Sequence, residues 1–245
     1  MIYFYDGSKQ GFLTALALSF RDEQAVLTAG NKQLSLGQQT VFVATDAARA
    51  AAVEKRLLSF DGHCMLDLDT LLRSGDDDKD AVAFAYFRLL AQEKRPVRDM
   101  LAEPAALAAA ECMRRLSTEL HRLRGFIRFM ESASGALYAP CSPDHDIIDL
   151  LLPHFRARLP HYPFVLHDVG RKKAAVYDGA HAFTAPLERA EVLLSADEQA
   201  WQALWREYYQ SVNIPERERL KQMRGYLPVR YRKFMNEFSG GNTPL

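Results

Sequence analysis

Three short stretches carry side chains suited to acid–base or metal chemistry. Asp144-His145-Asp146 sets an imidazole between two carboxylates, residue types that serve as metal ligands or as a general base. Neighbouring residues on a helix point about 100° apart, so these three do not converge on one atom unaided. The simpler role for Asp144 and Asp146 is to stabilise a helix N-terminus. His167-Asp168 ends a predicted strand, with Arg171 three residues on and Asp178 at the end of the partner strand. Such a cluster at a sheet edge suits catalysis or ligand binding; the alternative is a turn whose amides Asp168 and Asp178 satisfy. With His121, the candidate catalytic groups are His121, His145, His167 and Asp168. Cys64, Cys112 and Cys141 are odd in number and lack C-x-x-C spacing, which argues against a disulfide framework and against a thiolate metal centre. No metal and no cofactor are expected.

A second chemistry is phosphate and base recognition. HRLRGFIRFM places Arg122, Arg124 and Arg128 close together, and Arg128 shares a predicted strand face with Phe126 and Met130. A cation among apolar neighbours must find a carboxylate, a phosphate or the solvent edge. Residues 213–234 hold seven Lys/Arg against two Glu, with Tyr226, Tyr231 and Phe234 interleaved. Basic side chains neutralise phosphates while aromatic rings stack on bases. The candidate nucleic-acid contacts are therefore Arg122, Arg124, Arg128, Arg171, Arg217, Arg219, Lys221, Tyr226, Arg230, Tyr231 and Arg232. The same C-terminal stretch also reads as an amphipathic helix with a solvated face. Trp201, Trp205, Tyr208 and Tyr209 recur at helical spacing and read as a core stripe.

The elements that must position these groups indicate an α+β chain. Residues 2–5 and 40–45 read as strands, each followed by a capping candidate (Ser8, Asp46) and a helix, a small parallel α/β piece. Helices follow at about 64–73, 79–93 and 104–123, with the acidic run 76–78 as a solvated loop. At Gly125 the apolar period switches, and 126–130 with 136–139 read as a hairpin. A helix starts at Pro143 and runs towards Leu159, kinked at Pro153. Residues 164–167 and 174–177 form a second hairpin, giving a β-β-α-β-β unit read as an antiparallel sheet. The chain from Ser195 is helical and then basic. The expected parts are 1–103, N-terminal α/β and helical; 104–238, the sheet and C-terminal helices; and 239–245, a flexible tail. One continuous domain is the alternative.

With 245 residues and 25% charged side chains the composition is that of a globular chain. Formal net charge is zero, but residues 1–110 carry −3 and residues 111–245 carry +3, so the basic excess lies in the second half. Phosphate-cradling, dinucleotide, zincin and hydrolase-elbow motifs are absent. The N-terminus lacks the features of a signal peptide, and no 18-residue apolar run suggests a membrane span. A cytoplasmic location without membrane contact is expected.

The ordered set YDGSKQGFLTA, HRLRGFIRFME, YAPCSPDHDI, PHFRARLP, FVLHDVGR, the tryptophan helix, SVNIPER and LPVRY resembles a bacterial family labelled "probable DNA metabolism protein". The resemblance runs from about residue 3 to residue 235. It implies work alongside a radical SAM protein of DNA modification or repair, since members are typically encoded beside one and some are fused to a uracil-DNA glycosylase domain. It supplies no catalytic residues to carry over. Three functions follow as expectations: a DNA repair or modification accessory protein that binds nucleic acid through its basic half and acts with a radical SAM enzyme; an enzyme acting on a nucleic-acid base or backbone through the His/Asp groups; or a protein–protein adaptor without nucleic-acid contact.

Overall fold

The structure, a computed structural model, describes residues 1–29, 39–212 and 220–238, without the side chains of Leu220, Lys221 and Arg224. The chain is α+β and divides into two compact units, Met1–Ser117 and Thr118–Leu245.

In the first unit β1 (Ile2–Tyr5) lies between β2 (Val26–Ala29) and β3 (Thr40–Phe42), all parallel. The β1-to-α1 turn forms for local reasons. Gly7 takes φ +80°, which favours a residue without a Cβ. Asp6 accepts hydrogen bonds from the Ser8 amide at 2.9 Å and the Ser8 hydroxyl at 2.6 Å, and Ser8 Oγ caps α1 (Lys9–Ser19) by accepting from the Gly11 amide. Asp46 caps α2 (Ala47–Leu58) in the same way, accepting from the Arg49 amide. Helices α3 (Cys64–Leu72) and α4 (Lys79–Glu93) fall where the apolar period puts them. Strand β2 escaped the sequence reading.

Phe12, Leu13, Leu16, Leu68, Phe87 and Leu90 form much of this unit's core. A polar link crosses it. Tyr5 donates its hydroxyl to Asp80 Oδ1 at 2.6 Å, and Asp80 Oδ2 accepts from the Ala29 amide at 2.8 Å, tying α4 to two strands. Burial, followed by the Asp80 charge, drives the Tyr5 phenol far above its ordinary value, so the hydroxyl stays a donor. Tyr5→Phe strands a buried carboxylate and is expected to cost about 1.5–3 kcal/mol in urea unfolding, the worth of a hydrogen bond to a charged group.

Helix α5 (Pro104–Phe126) runs from the first unit into the second. It continues through Gly125, so the strand expected at 126–130 shrinks to β4 (Met130–Glu131). An exposed glycine late in a helix weakens it without ending it. The second unit carries a five-stranded sheet in the order β4-β5-β6-β7-β8, adding β5 (Leu137–Cys141), β6 (Phe164–Asp168), β7 (Lys173–Tyr177) and β8 (Ala182–Pro186).

The β-β-α-β-β order is as read from the sequence, but the sheet is mixed rather than antiparallel. Helix α6 (Ile148–Arg158) carries the chain back to the end from which β5 started, so β5 and β6 pair in parallel. The other pairings are antiparallel. Strand β8, also unforeseen, ends in a proline as an edge strand permits.

Helix α6 begins at Ile148 and not at Pro143, because the amides of Asp144 and His145 and the carboxylates of Asp144 and Asp146 are taken by Glu119, Arg230 and Lys173 on other elements. Pro153 lies within α6, and the helix runs through it. Phe129, Phe155, Phe164 and Tyr177 meet edge-on or tilted over the sheet. Fully burying a side chain of this size contributes about 1.5–3 kcal/mol. Three helices follow: α7 (Glu198–Val212), α8 (Leu220–Tyr226) and α9 (Val229–Arg232), then a 3-10 turn at Asn236–Phe238.

Candidate functional site

The histidine and aspartate candidates do not gather at one point. His121 is exposed on α5. His145 is buried and donates its amide to Glu119. His167 is buried on β6 with both ring nitrogens engaged: Nε2 lies 3.0 Å from the Leu187 carbonyl and Nδ1 2.7 Å from the Tyr138 hydroxyl. A carbonyl only accepts, so Nε2 carries the hydrogen and, in the neutral ring, Tyr138 donates to Nδ1. Asp168, 0% exposed, accepts from the Gly170 and Arg171 amides and from Arg171 Nη1 at 3.2 Å. Arg171 is also spent on the Pro143 and Asp144 carbonyls.

Asp178 does not join this group. Register places Lys173 opposite Asp168 and Tyr177 opposite Phe164, so Asp178 lies beyond the other end of β7, roughly 16 Å along the strand. There it accepts from the amides of His181 and Ala180, which hold its carboxyl below the usual range.

Asp144 and His145 both turn to the Glu119–Arg230 pair, while Asp146 turns to β7. Asp144 pairs with Arg230 at 2.6 Å, Asp146 pairs with Lys173 at 2.9 Å, and the His145 amide goes to Glu119. Among the described residues no three His, Cys, Asp or Glu side chains are grouped so as to hold a metal ion. The three cysteines are free and buried, and burial pushes the Cys64 thiol up to about 11, far from a thiolate nucleophile.

The group that does converge was missed. Glu119, buried on α5, accepts from the amides of Asp144 and His145, from the Tyr231 hydroxyl at 2.6 Å and from Arg230 Nη2 at 2.9 Å. Its signal was its place in the apolar stripe: Leu116, Glu119 and Leu123 share one buried helix face.

Many of the candidate phosphate contacts are consumed internally. Arg128 pairs with Glu237 at 2.8 Å and donates to the Gly125 carbonyl. Arg230 is held by Glu119 and Asp144 and stacks on the Tyr231 ring. Tyr231, expected to stack on bases, is 3% exposed. Arg232 is buried, donating to the Leu227 carbonyl and lying over the Phe238 ring. Arg122 spends one donor on the Gly225 carbonyl. Arg124 and Tyr226 face solvent. Arg217 and Arg219 lie outside the described residues, as does the Lys221 side chain.

The α7 aromatic stripe, expected to be core, is exposed: Trp201 by 62% and Trp205 by 42%, with Tyr208 and Tyr209 also open. Periodicity tells which face of a helix is apolar and says nothing of what covers it. Glu198 is the buried residue of α7, accepting from the Glu131 amide and from Gln202. Trp205 Nε1 donates to Glu237, and Tyr209 meets Phe238 edge-on, so α7 leans on the 3-10 turn.

Beside this face lies a cleft of about 520 Å³. Arg124, Arg128, Arg158, Trp201 and Trp205 line it, with Phe129 and Phe155 among its apolar residues. Arg124 and Arg158 have no carboxylate partner among the described residues. Arg158 was not singled out in the sequence, because its neighbours on α6 gave no sign that it borders the tryptophan helix.

No helix of the described residues is long and apolar enough to cross a membrane. No curated protein and no solved structure matches the chain. Residues 77–237 match the model of a family described as a domain of unknown function, DUF4130, and the chain belongs to that family.

Proposed function

We propose that this protein is a nucleic-acid-binding accessory of DNA repair or modification, acting with a radical SAM enzyme. The observation that carries the reading is the pair Arg124 and Arg158, unopposed by any described carboxylate and set beside exposed tryptophans in one cleft. Two cations without an acidic partner among the described residues leave a local positive field in a chain of zero net charge, and a phosphate backbone supplies the missing anions. The radical SAM partner comes from the sequence resemblance. The alternative reading, an enzyme built on His121, His145, His167 and Asp168, has less support, since both ring nitrogens of His167 and the Asp168 carboxylate are taken up within the fold.

Internal pairing lowers the phosphate count expected from sequence. Among the described residues, Arg124 and Arg158, with the remaining donors of Arg122, supply two or three contacts. These contribute about −2 to −3 to the log–log salt slope of binding to duplex DNA, and Arg124→Ala or Arg158→Ala each makes it shallower by about 0.9. Fluorescence anisotropy across a salt series measures this. No binding at low salt would refute the proposal and move the protein to the adaptor reading, tested by nuclease-treated co-purification with the radical SAM protein.

A further inference from the structure

We infer that the cleft beside α7 takes an unpaired nucleotide of single-stranded nucleic acid, its base stacked on the Trp201–Trp205 face and its phosphate held by Arg124 and Arg158, an assignment that rests on the nucleic-acid binding proposed above. The size fits: about 520 Å³ lies within the range of sites for single small molecules and admits one nucleotide. The shape of the chemistry also fits. Trp201 and Trp205 are four residues apart on α7, so their rings share one helix face, and the Trp205 ring lies 5.7 Å from that of Tyr208. Flat, exposed aromatic surface beside cations is how sequence-tolerant single-strand sites work, because every unpaired base has a stacking face. A duplex presents only base edges in its grooves and has no face to offer.

The acids at the cleft do not compete for the cations. Glu198 is occupied by the Glu131 amide and Gln202. Glu237 bridges Arg128 to the Trp205 indole, with contacts of 2.8 and 3.3 Å. Arg128 is thus a positioning residue that holds Trp205 through Glu237, and Arg124 and Arg158 remain for the ligand. An acidic peptide would satisfy the two arginines but leave the aromatic face unused.

Both tryptophans of the chain border this one cleft, so intrinsic fluorescence reports its occupancy directly. The full chain is titrated with an oligothymidylate of about 12 nucleotides, within known single-strand site sizes. Parallel titrations use the same oligomer with abasic sites throughout, a duplex of equal length, and polyglutamate. The oligothymidylate is expected to change the tryptophan emission and to bind more tightly than the other three. Trp201→Leu and Trp205→Leu should each weaken it by about 5- to 150-fold with the salt slope unchanged, while Trp→Phe at either site keeps most of the affinity. Arg124→Ala should instead make the slope shallower by about 0.7.

Equal affinity for the abasic oligomer, or salt-dependent DNA binding without any change in emission, would overturn the stacked nucleotide and leave nucleic-acid binding standing. Binding of polyglutamate as tightly as of DNA would overturn the inference in favour of a peptide site. No binding of any nucleic acid at low salt would overturn both.

Discussion

Glu119→Ala is expected to lower the unfolding free energy by about 3–5 kcal/mol in urea titrations, since two amides and the Tyr231 hydroxyl lose their acceptor at about 1–3 kcal/mol each. The carboxylate is the common acceptor of two amides, a phenol and a guanidinium, drawn from the 142–147 loop and from α9. Its loss orphans the buried amides and the Tyr231 hydroxyl at once. Glu119→Gln keeps an uncharged acceptor and should cost less.

The same network sets a pH dependence. Burial alone raises the Glu119 carboxyl, but the Asp144 amide, the Tyr231 hydroxyl, the His145 amide and Arg230 more than offset it, and the net value falls below the ordinary 4.5. A depressed folded value means that the stabilisation is complete above the unfolded value and is lost as pH falls through the folded one. The stability gap between the native chain and Glu119→Gln should therefore close below pH 4.5. A gap that is constant from pH 7 to strongly acidic conditions would show that the charge is not what matters.

Asp168→Ala should be as damaging, at about 3–5 kcal/mol. Asp168 has no exposed surface, and it closes the turn after β6 by holding two amides and the Arg171 guanidinium. Asp168→Asn retains an acceptor for the amides and loses only the charge. The decisive comparison is between folding and function. If the carboxylate is architectural, Asp168→Asn loses nucleic-acid binding only as far as it loses stability in thermal melts. A fully stable Asp168→Asn protein with abolished function would instead restore a catalytic carboxylate at the end of β6.

These residues show where reading a sequence stops. Local rules placed Ser8 and Asp46 as caps, α4 to the residue, and the β-β-α-β-β order, because capping, apolar period and turn chemistry are contained in a few neighbouring residues. Of the resemblance drawn from short motifs, the membership of a domain family of unknown function is met by the match over residues 77–237. What local rules do not contain is the partner of a charge. Arg128 and Glu237 are 109 residues apart, Glu119 and Tyr231 are 112 apart, and the basic and acidic residues looked equally free in the sequence.

The tertiary structure divided them. It spent Arg128, Arg171, Arg230 and Arg232 inside the second unit, divided the Asp-His-Asp run between the Glu119–Arg230 pair and Lys173, and left Arg124 and Arg158 open beside two tryptophans. It also reversed the reading of α7. An amphipathic period requires a cover for its apolar face only if another element has surface to spare. In this protein most of the described α7 aromatics remain exposed to solvent. The sequence by itself determined most of the elements and the membership of a domain family of unknown function; only packing over long sequence separations decided which charges are neutralised and which remain to meet a ligand.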